Sequence, residues 1–232
     1  MLAPAAPADA KLTTAVVKRV LQVQGGKGKE RARVTCDPNG RVKVNGRNPK
    51  GGPVACSNIY EVDASMGAGD DVIDFSGVSP AFGEARFPGF GVGTGTAAIG
   101  GGGNDRYIPS RTAFNIFFGG GGKDRAKGGR ARDLLSGGPG DDALNGAEGR
   151  DTLLGQAGND RLVGGSAGDL LSGGSGDDRL FGGPGGDVLG GGPGRDKLRG
   201  GPGKDRLVGG AGKDDLRGGA GKDIEIEKNP KT

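Results

Sequence analysis

The chain has 232 residues, 55 of which are Gly, and a formal net charge of +4 at pH 7. It contains no His, which excludes Ser-His-Asp and Cys-His nucleophile activation and the H-E-x-x-H metalloprotease site. No apolar run is long enough to span a membrane, and no apolar segment suited to a signal peptide follows Met1.

The first segments of the chain are irregular. Residues 1–10 are rich in Ala and Pro, so we expect a disordered tail or the start of a secreted chain whose signal peptide precedes it. Residues 11–58 are expected to form a small basic β region. Within it, the turn signal Gly25–Gly28 between two β-prone stretches predicts a hairpin over residues 13–35.

Basic residues are concentrated near the N-terminus, since residues 1–66 carry 11 basic and 5 acidic residues. Such a patch either binds an anionic surface, such as nucleic acid, wall polymer or lipid headgroups, or consists of solvated strand faces and turns. Because no aromatic residues are interleaved with the basic ones, nucleic acid is disfavoured as a partner. Solvated faces are the favoured interpretation.

Two cysteines, Cys36 and Cys56, are present. A disulfide between them would stabilise the small β region by about 3 kcal/mol and would favour an oxidising, extracellular setting. Free buried thiols and a redox pair are the alternatives, although the spacing is not C-x-x-C. Two thiolates without His are too few to hold zinc.

Residues 59–118 contain two degenerate copies of a nine-residue unit, residues 66–74 and 100–108, with Asp71 and Asp105 at the sixth position. We expect irregular solenoid coils here, interrupted by loops. Seven of the eight Phe residues fall within 75–118. They predict a hydrophobic cap that closes the end of a solenoid, and an aromatic ligand groove is the alternative.

From Gly119 to Ile226 the unit becomes regular and divides into twelve nonapeptides. Position 1 is Gly and position 6 is Asp in all twelve, and position 8 is Leu in ten. Gly at the start of each unit favours a turn, and the last three residues form a minimal strand whose Leu faces inward. Stacked copies would build a Leu ladder, which is typical of a solenoid. The remaining residues, 227–232, are expected to form a tail.

A carboxylate at the same point of every coil would form a column with a spacing of about 4.8 Å between charges. Such a column is repulsive unless a cation lies within it. Ca²⁺ binds about 6–8 oxygen atoms, which carboxylates and backbone carbonyls of a Gly-rich turn can supply.

The motif G-G-x-G-x-D-x-U-x resembles the repeat of the RTX, or haemolysin-type calcium-binding, proteins. The resemblance implies an all-β fold, a parallel β-roll or right-handed β-solenoid, with two nonapeptides per coil. We expect the small β region to form an N-terminal β cap on this roll. It also implies Ca²⁺ between turns stacked on the same side. One column of metal ligands would contain Asp124, Asp142, Asp160, Asp178, Asp196 and Asp214. The other column would contain Asp133, Asp151, Asp169, Asp187, Asp205 and Asp223. Asp71 and Asp105 are candidate ligands in the degenerate copies.

The sequence departs from the family pattern at position 5, which is Lys or Arg in seven repeats where the family favours Asn or Asp. Residues 119–232 hold 18 basic and 18 acidic residues, so the array is neutral before any ion binds. We therefore expect weaker calcium binding, or more order without calcium, than in a typical RTX array. A static scaffold with partly empty sites is the alternative.

We predict a secreted, non-enzymatic calcium-binding β-roll protein in which Ca²⁺ drives folding and rigidity. The alternative is a module that adheres to a cell surface or wall polymer through the basic N-terminal region, with the roll as scaffold. An enzyme that uses Asp or Glu pairs within 59–118 is a third, less favoured, interpretation.

Overall fold

The computed structural model describes residues 13–17, 20–36, 38–39, 41–45, 47, 49–50, 53–55, 61–77, 85–87, 91–93, 95–111 and 114–227. Every regular element in this part of the chain is a β-strand. The predicted tail at 1–10 and Cys56 lie outside the described residues. The Cys36–Cys56 disulfide therefore stays a prediction.

The strands form two long sheets that face each other. Sheet 1 has 11 strands, in the order β1 (Thr13–Val17), β2 (Val20–Gln24), β5 (Glu61–Ala68), β9 (Gly95–Gly102), β11 (Phe114–Gly121), β13 (Leu134–Pro139), β15 (Thr152–Ala157), β17 (Leu170–Ser175), β19 (Val188–Gly194), β21 (Arg206–Gly212) and β23 (Ile224–Ile226). Sheet 2 has 10 strands, in the order β22 (Asp215–Ala220), β20 (Lys197–Pro202), β18 (Arg179–Phe181), β16 (Arg161–Ser166), β14 (Ala143–Glu148), β12 (Arg125–Lys127), β10 (Arg106–Ile108), β6 (Val72–Gly77), β3 (Arg31–Cys36) and β4 (Val42–Val44). A separate antiparallel pair joins β7 (Ala85–Phe87) and β8 (Gly91–Gly93).

Successive strands of the array alternate between the sheets, so each coil contributes one strand to each. All pairs within the two sheets are parallel except those at the N-terminal ends, where β1 pairs with β2 and β4 pairs with β3 in antiparallel fashion. In the array, partners are 18 residues apart, as in Leu135 with Leu153. This is a parallel β-solenoid with two nonapeptides per coil, and the predicted β-roll is confirmed.

The predicted hairpin over residues 13–35 is wrong. β2 and β3 lie in different sheets, and the antiparallel partner of β2 is β1. The Gly-rich segment after β2 crosses from one sheet to the other, with a hydrogen bond of 2.7 Å from Gly25 N–H to the Ser65 carbonyl. A turn that changes sheets and a turn that makes a hairpin carry the same Gly signal, so local sequence did not separate them.

The core is the ladder of position-8 side chains between the sheets. At most 1% of each of nine of these Leu residues is exposed: Leu135, Leu144, Leu153, Leu162, Leu171, Leu180, Leu189, Leu198 and Leu207. The ladder ends at Glu225, which is exposed. Burial on the inner side and exposure on the outer side follow the two-residue period of the strands.

In the N-terminal coils, Tyr107 and Phe117 occupy the position of the ladder. Tyr107 stacks on Phe117 with centroids 5.2 Å apart and meets Phe75 edge-on at 5.9 Å. All three side chains are buried between the sheets. Phe82 and Phe90, on which the predicted aromatic cap also relies, lie outside the described residues. In the described part of the chain, no helix has the length and apolar character needed to cross a membrane.

Candidate metal sites

Each Gly-rich turn carries the chain from one sheet to the other, and turns on the same side recur once per coil. We call edge 1 the side on which the turns lead from sheet 1 to sheet 2, as at Gly119–Asp124, and edge 2 the opposite side, as at Gly128–Asp133. Gly makes these turns possible, since positions 2 and 4 adopt positive φ, as in Gly120 at 104° and Gly122 at 127°.

The position-6 residues of edge 1 form one column through the roll. The backbone N–H of each donates to Oδ1 of the next, at 2.7 Å from Asp124 to Asp142 and 3.0 Å from Asp196 to Asp214. Members of the column among the predicted site residues are Asp71, Asp105, Asp124, Asp142, Asp160, Asp178, Asp196 and Asp214.

Edge 2 carries a second column of the same kind. Its bonds range from 2.7 Å between Asp133 and Asp151 to 3.0 Å between Asp205 and Asp223. Its predicted members are Asp133, Asp151, Asp169, Asp187, Asp205 and Asp223. The structure therefore brings all fourteen predicted residues into two files.

In most carboxylates of each column, one oxygen accepts a hydrogen bond and the other does not. Oδ1 accepts the inter-coil bond, whereas Oδ2 is buried and has no hydrogen-bond partner among the described residues from Asp71 to Asp205, except in Asp133. Oδ2 of Asp133 accepts a hydrogen bond of 2.6 Å from Gly129 N–H. Buried carboxylate oxygens without donors are rare in folded proteins and call for an explanation such as an ion.

The unpartnered oxygen faces a small cradle at position 1 of the turn. A Cβ built on Gly119 would lie 2.1 Å from Oδ2 of Asp124 and 2.6 Å from the carbonyl oxygen of Gly137. Gly155 shows the same arrangement with Oδ2 of Asp160 at 2.2 Å and the carbonyl oxygen of Gly173 at 2.5 Å. A carboxylate oxygen and a carbonyl oxygen from the next coil thus converge on one space that only Gly leaves open.

The donor set fits a hard cation. Among the described residues, no group of three or more His, Cys, Asp or Glu side chains surrounds a point, so carboxylates alone do not make a site. Carboxylate oxygens together with backbone carbonyls of the Gly turns match the oxygen ligands that Ca²⁺ prefers.

Burial raises the pKa of the column carboxyls. The pKa of Asp142 rises to about 7, first because the group is removed from water and then because Asp124 and Asp160 carry like charge nearby. The same causes raise the pKa of Asp178 to about 7, and burial raises that of Asp133 to about 6. The fold thus opposes ionisation of these groups, and a bound cation would favour it.

The basic residues at position 5 do not neutralise the column of edge 1. Lys123 Nζ lies 2.7 Å from Oδ2 of Asp141, and Arg195 Nη2 lies 3.4 Å from Oδ2 of Asp177. Both partners are exposed position-5 residues. A hydrogen bond from Lys123 lowers the pKa of Asp141, while the adjacent Asp142 stays without a cation in the described structure.

Sequence reasoning missed the first member of the edge 1 column. Glu30 is buried, its N–H donates to Oδ1 of Asp71 at 2.7 Å, and its Oε2 has no partner among the described residues. Residues 25–33, GGKGKERAR, match the nonapeptide with Glu in place of Asp. That match was the available signal, and the hairpin prediction obscured it.

Asn115 begins the edge 2 column and was also missed. Its N–H and its Nδ2 both donate to Oδ1 of Asp133 at 2.8 Å. Its own Oδ1 accepts from the Tyr107 hydroxyl at 2.9 Å and from Ser110 N–H at 3.2 Å. A neutral amide whose hydrogen bonds are satisfied therefore precedes the carboxylates in the edge 2 column. No repeat motif around residue 115 indicates this role.

The repeated part of the chain matches a protein-family model. The family model described as RTX calcium-binding nonapeptide repeat (4 copies) matches residues 118–153, 154–189 and 190–225. These residues contain every member of both columns from Asp124 to Asp223. No curated protein matches the chain.

Proposed function

Because residues 118–225 belong to the RTX calcium-binding nonapeptide repeat family, we propose that this protein is an extracellular calcium-binding β-roll protein whose folding and rigidity depend on Ca²⁺. The proposed ligands are the position-6 carboxylates of both edges together with carbonyl oxygens of the Gly turns. The RTX repeat is a structural calcium-binding unit, and catalysis is not part of the proposal.

The observation that carries the proposal is the column of buried carboxylate oxygens that have no hydrogen-bond donor. Two like charges separated by the strand spacing repel by about 3.5 kcal/mol at an effective dielectric constant of about 20. Asp142 lies between Asp124 and Asp160 in such a file. Cations between the coils would turn this repulsion into attraction, which is why we assign the columns to Ca²⁺.

Calcium would act on the folding equilibrium. The carboxylate of one coil and the carbonyl of the next, such as Asp124 and Gly137, are brought together only in the coiled chain. An ion that binds the folded chain alone stabilises it by about 2.7 kcal/mol when its concentration is 100 times its dissociation constant. With several sites acting together, the folded fraction would rise steeply with calcium concentration.

An extracellular setting suits sites of this kind. Their ligands are shared with neutral carbonyls, and extracellular calcium modules bind with dissociation constants of about 10⁻⁴–10⁻³ M. Such sites fill only where calcium is abundant. The predicted Cys36–Cys56 disulfide points to the same oxidising environment.

The test is a far-UV circular dichroism titration of the full chain with Ca²⁺, with Mg²⁺ as the ion control. We expect a cooperative gain of β signal with Ca²⁺ alone. Asp142→Asn, in the column, should move the midpoint to higher calcium concentration. Asp141→Asn is the matched control, because Asp141 is exposed and pairs with Lys123 outside the column.

Two results would contradict the proposal. One is an unchanged, folded spectrum together with no calcium uptake in calorimetry, which would identify a static scaffold. The other is an equal shift of the midpoint by Asp141→Asn and Asp142→Asn, which would assign the effect to total charge instead of to the column.

A further inference from the structure

We propose that the outer face of sheet 2 binds an extended acidic polysaccharide through a row of cations that runs along the roll. The row consists of position-7 residues, which parallel pairing places in register on neighbouring strands: Arg106, Arg125, Arg161, Arg179 and Lys197. Ala143 occupies the one intermediate strand. The inference rests on strand pairing and does not require calcium in the columns.

The cations of the row are exposed and unpaired. All five side chains are exposed, and none forms an ion pair with a described residue. From β10 to β20, positions 7 and 9 of this sheet hold no Asp or Glu, and Glu148 at the end of β14 pairs with Arg130. Position 9 adds Lys127 and Arg199 to the same face. The row meets a carboxylate at β22, where Asp215 is in register with Lys197. Between Arg106 and Arg179, a bound polyanion would supply the counter-charges that positions 7 and 9 lack.

The geometry favours a long ligand over a small one. Neighbouring strands are about 4.8 Å apart, so the row from Arg106 to Lys197 extends over about 24 Å. A single phosphate or carboxylate would contact one or two of the cations. A linear polymer with acid groups along its length can contact several cations of the row at once.

Other polyanions suit the face less well. Phosphates of a DNA strand repeat every 3.4 Å or so along the helix, and single strands need aromatic platforms for their bases. The aromatic residue at the outward positions from β10 to β20 is Phe181. The guanidinium of Arg161 lies over its ring, with Cζ 4.7 Å from the ring centroid.

A membrane surface is also a poor match. Membrane docking combines cations with exposed apolar side chains on one face. The large apolar side chains that are exposed in the described structure all lie on strands of sheet 1: Ile99, Phe118, Leu170, Val188 and Ile224. The exposed apolar side chains therefore lie on sheet 1 and the row of cations lies on sheet 2. The cationic face lacks the exposed apolar side chains that membrane docking needs.

The experiment measures binding of a fluorescent β-1,4-linked glucuronate oligomer to the full chain by anisotropy, with the neutral cello-oligomer of the same length as control. Each cation near a carboxylate in water contributes a factor of about five. The triple variant Arg161→Gln, Arg179→Gln and Lys197→Gln should therefore bind about 100-fold more weakly. Its circular dichroism spectrum should match that of the original chain, because the three side chains are exposed.

A matched triple variant removes the same charge elsewhere. Lys204→Gln, Arg206→Gln and Lys222→Gln change exposed residues on edge 2 and sheet 1, and binding should stay within about twofold, as expected for distant charges screened by salt. Equal loss in both triples, or no binding of the oligomer, would overturn the proposal. Tighter binding of a single-stranded oligonucleotide, or of vesicles containing an anionic lipid, would assign the face to that partner instead.

Discussion

The backbone N–H of Asp124 donates a hydrogen bond of 2.7 Å to Oδ1 of Asp142, one coil further along the roll. The bond orients the carboxylate and leaves its Oδ2 buried without a donor in the described structure. The arrangement repeats along both edges. Coil stacking is thus coupled to carboxylate position, and this coupling has consequences for pH, for Gly content and for core packing.

The metal-free roll should be more stable at acid pH than at neutral pH. Burial raises the pKa of Asp142, Asp151 and Asp178 to about 7 in the folded chain, against about 3.9 when unfolded. A raised carboxyl pKa contributes stability that is complete below about pH 4 and is lost as pH rises through about 7. Thermal unfolding in excess chelator should show a higher Tm at pH 5 than at pH 7.5.

The control for this pH effect is the exposed carboxylate Asp70. Its hydrogen bond with Lys29 lowers its pKa to about 2, so it should stabilise the fold above about pH 4 and lose that effect toward pH 2. Asp142→Asn should reduce the difference in Tm between pH 5 and pH 7.5, and Asp70→Asn should not. A Tm that rises steadily from pH 5 to 7.5 without metal would contradict the interpretation.

Position-1 Gly residues should be irreplaceable where position-3 residues are not. In Gly119→Ala, the new Cβ would lie 2.1 Å from Oδ2 of Asp124, whereas a Cβ on Gly121 would have nothing within 4 Å. We expect Gly119→Ala to destabilise the chain by about 1–3 kcal/mol and to weaken calcium binding. Gly121→Ala, two residues away, should change stability by less than about 0.5 kcal/mol. Chemical denaturation with and without calcium measures both effects.

One substitution should stabilise the roll. Ala167 occupies position 4 with a φ of 80°, a conformation that disfavours residues with a Cβ. We expect Ala167→Gly to add about 0.5–1 kcal/mol to the free energy of unfolding. Ala131 occupies the same position of another repeat without positive φ, so Ala131→Gly should lower that free energy by a similar amount. Two changes of the same sign would count against this backbone explanation.

Adjacent Leu residues should differ strongly in their contribution to stability. Leu171 is fully buried in the ladder, whereas 47% of Leu170 on the outer face of sheet 1 is exposed. Leu171→Ala should cost about 2–5 kcal/mol, and Leu170→Ala less than about 0.5 kcal/mol. Urea denaturation compares the two variants. Similar losses at both positions would mean that the outer face is buried by a partner in solution.

The sequence alone determined the repeat, the inward-facing Leu ladder and the membership of the two columns from Asp124 to Asp223. It could do so because the period of nine residues is fixed and because the resemblance to RTX repeats implied two nonapeptides per coil. Where the nine-residue period is absent or degenerate, local sequence signals led to a wrong prediction. The Gly-rich turn after β2 carries the same residues as a hairpin turn, and only pairing of β2 with β5 and of β3 with β6 reveals a sheet crossing.

The tertiary structure decided how the columns begin and what the faces expose. Column partners are 41 residues apart at Glu30 and Asp71 and 34 apart at Asp71 and Asp105, because loops of different length separate the N-terminal coils. Asn115 precedes Asp133 in the other column, and the sequence around Asn115 does not match the repeat. The cationic row from Arg106 to Lys197 is likewise scattered along the chain, and it becomes continuous only because parallel stacking brings residues of separate coils to neighbouring strands.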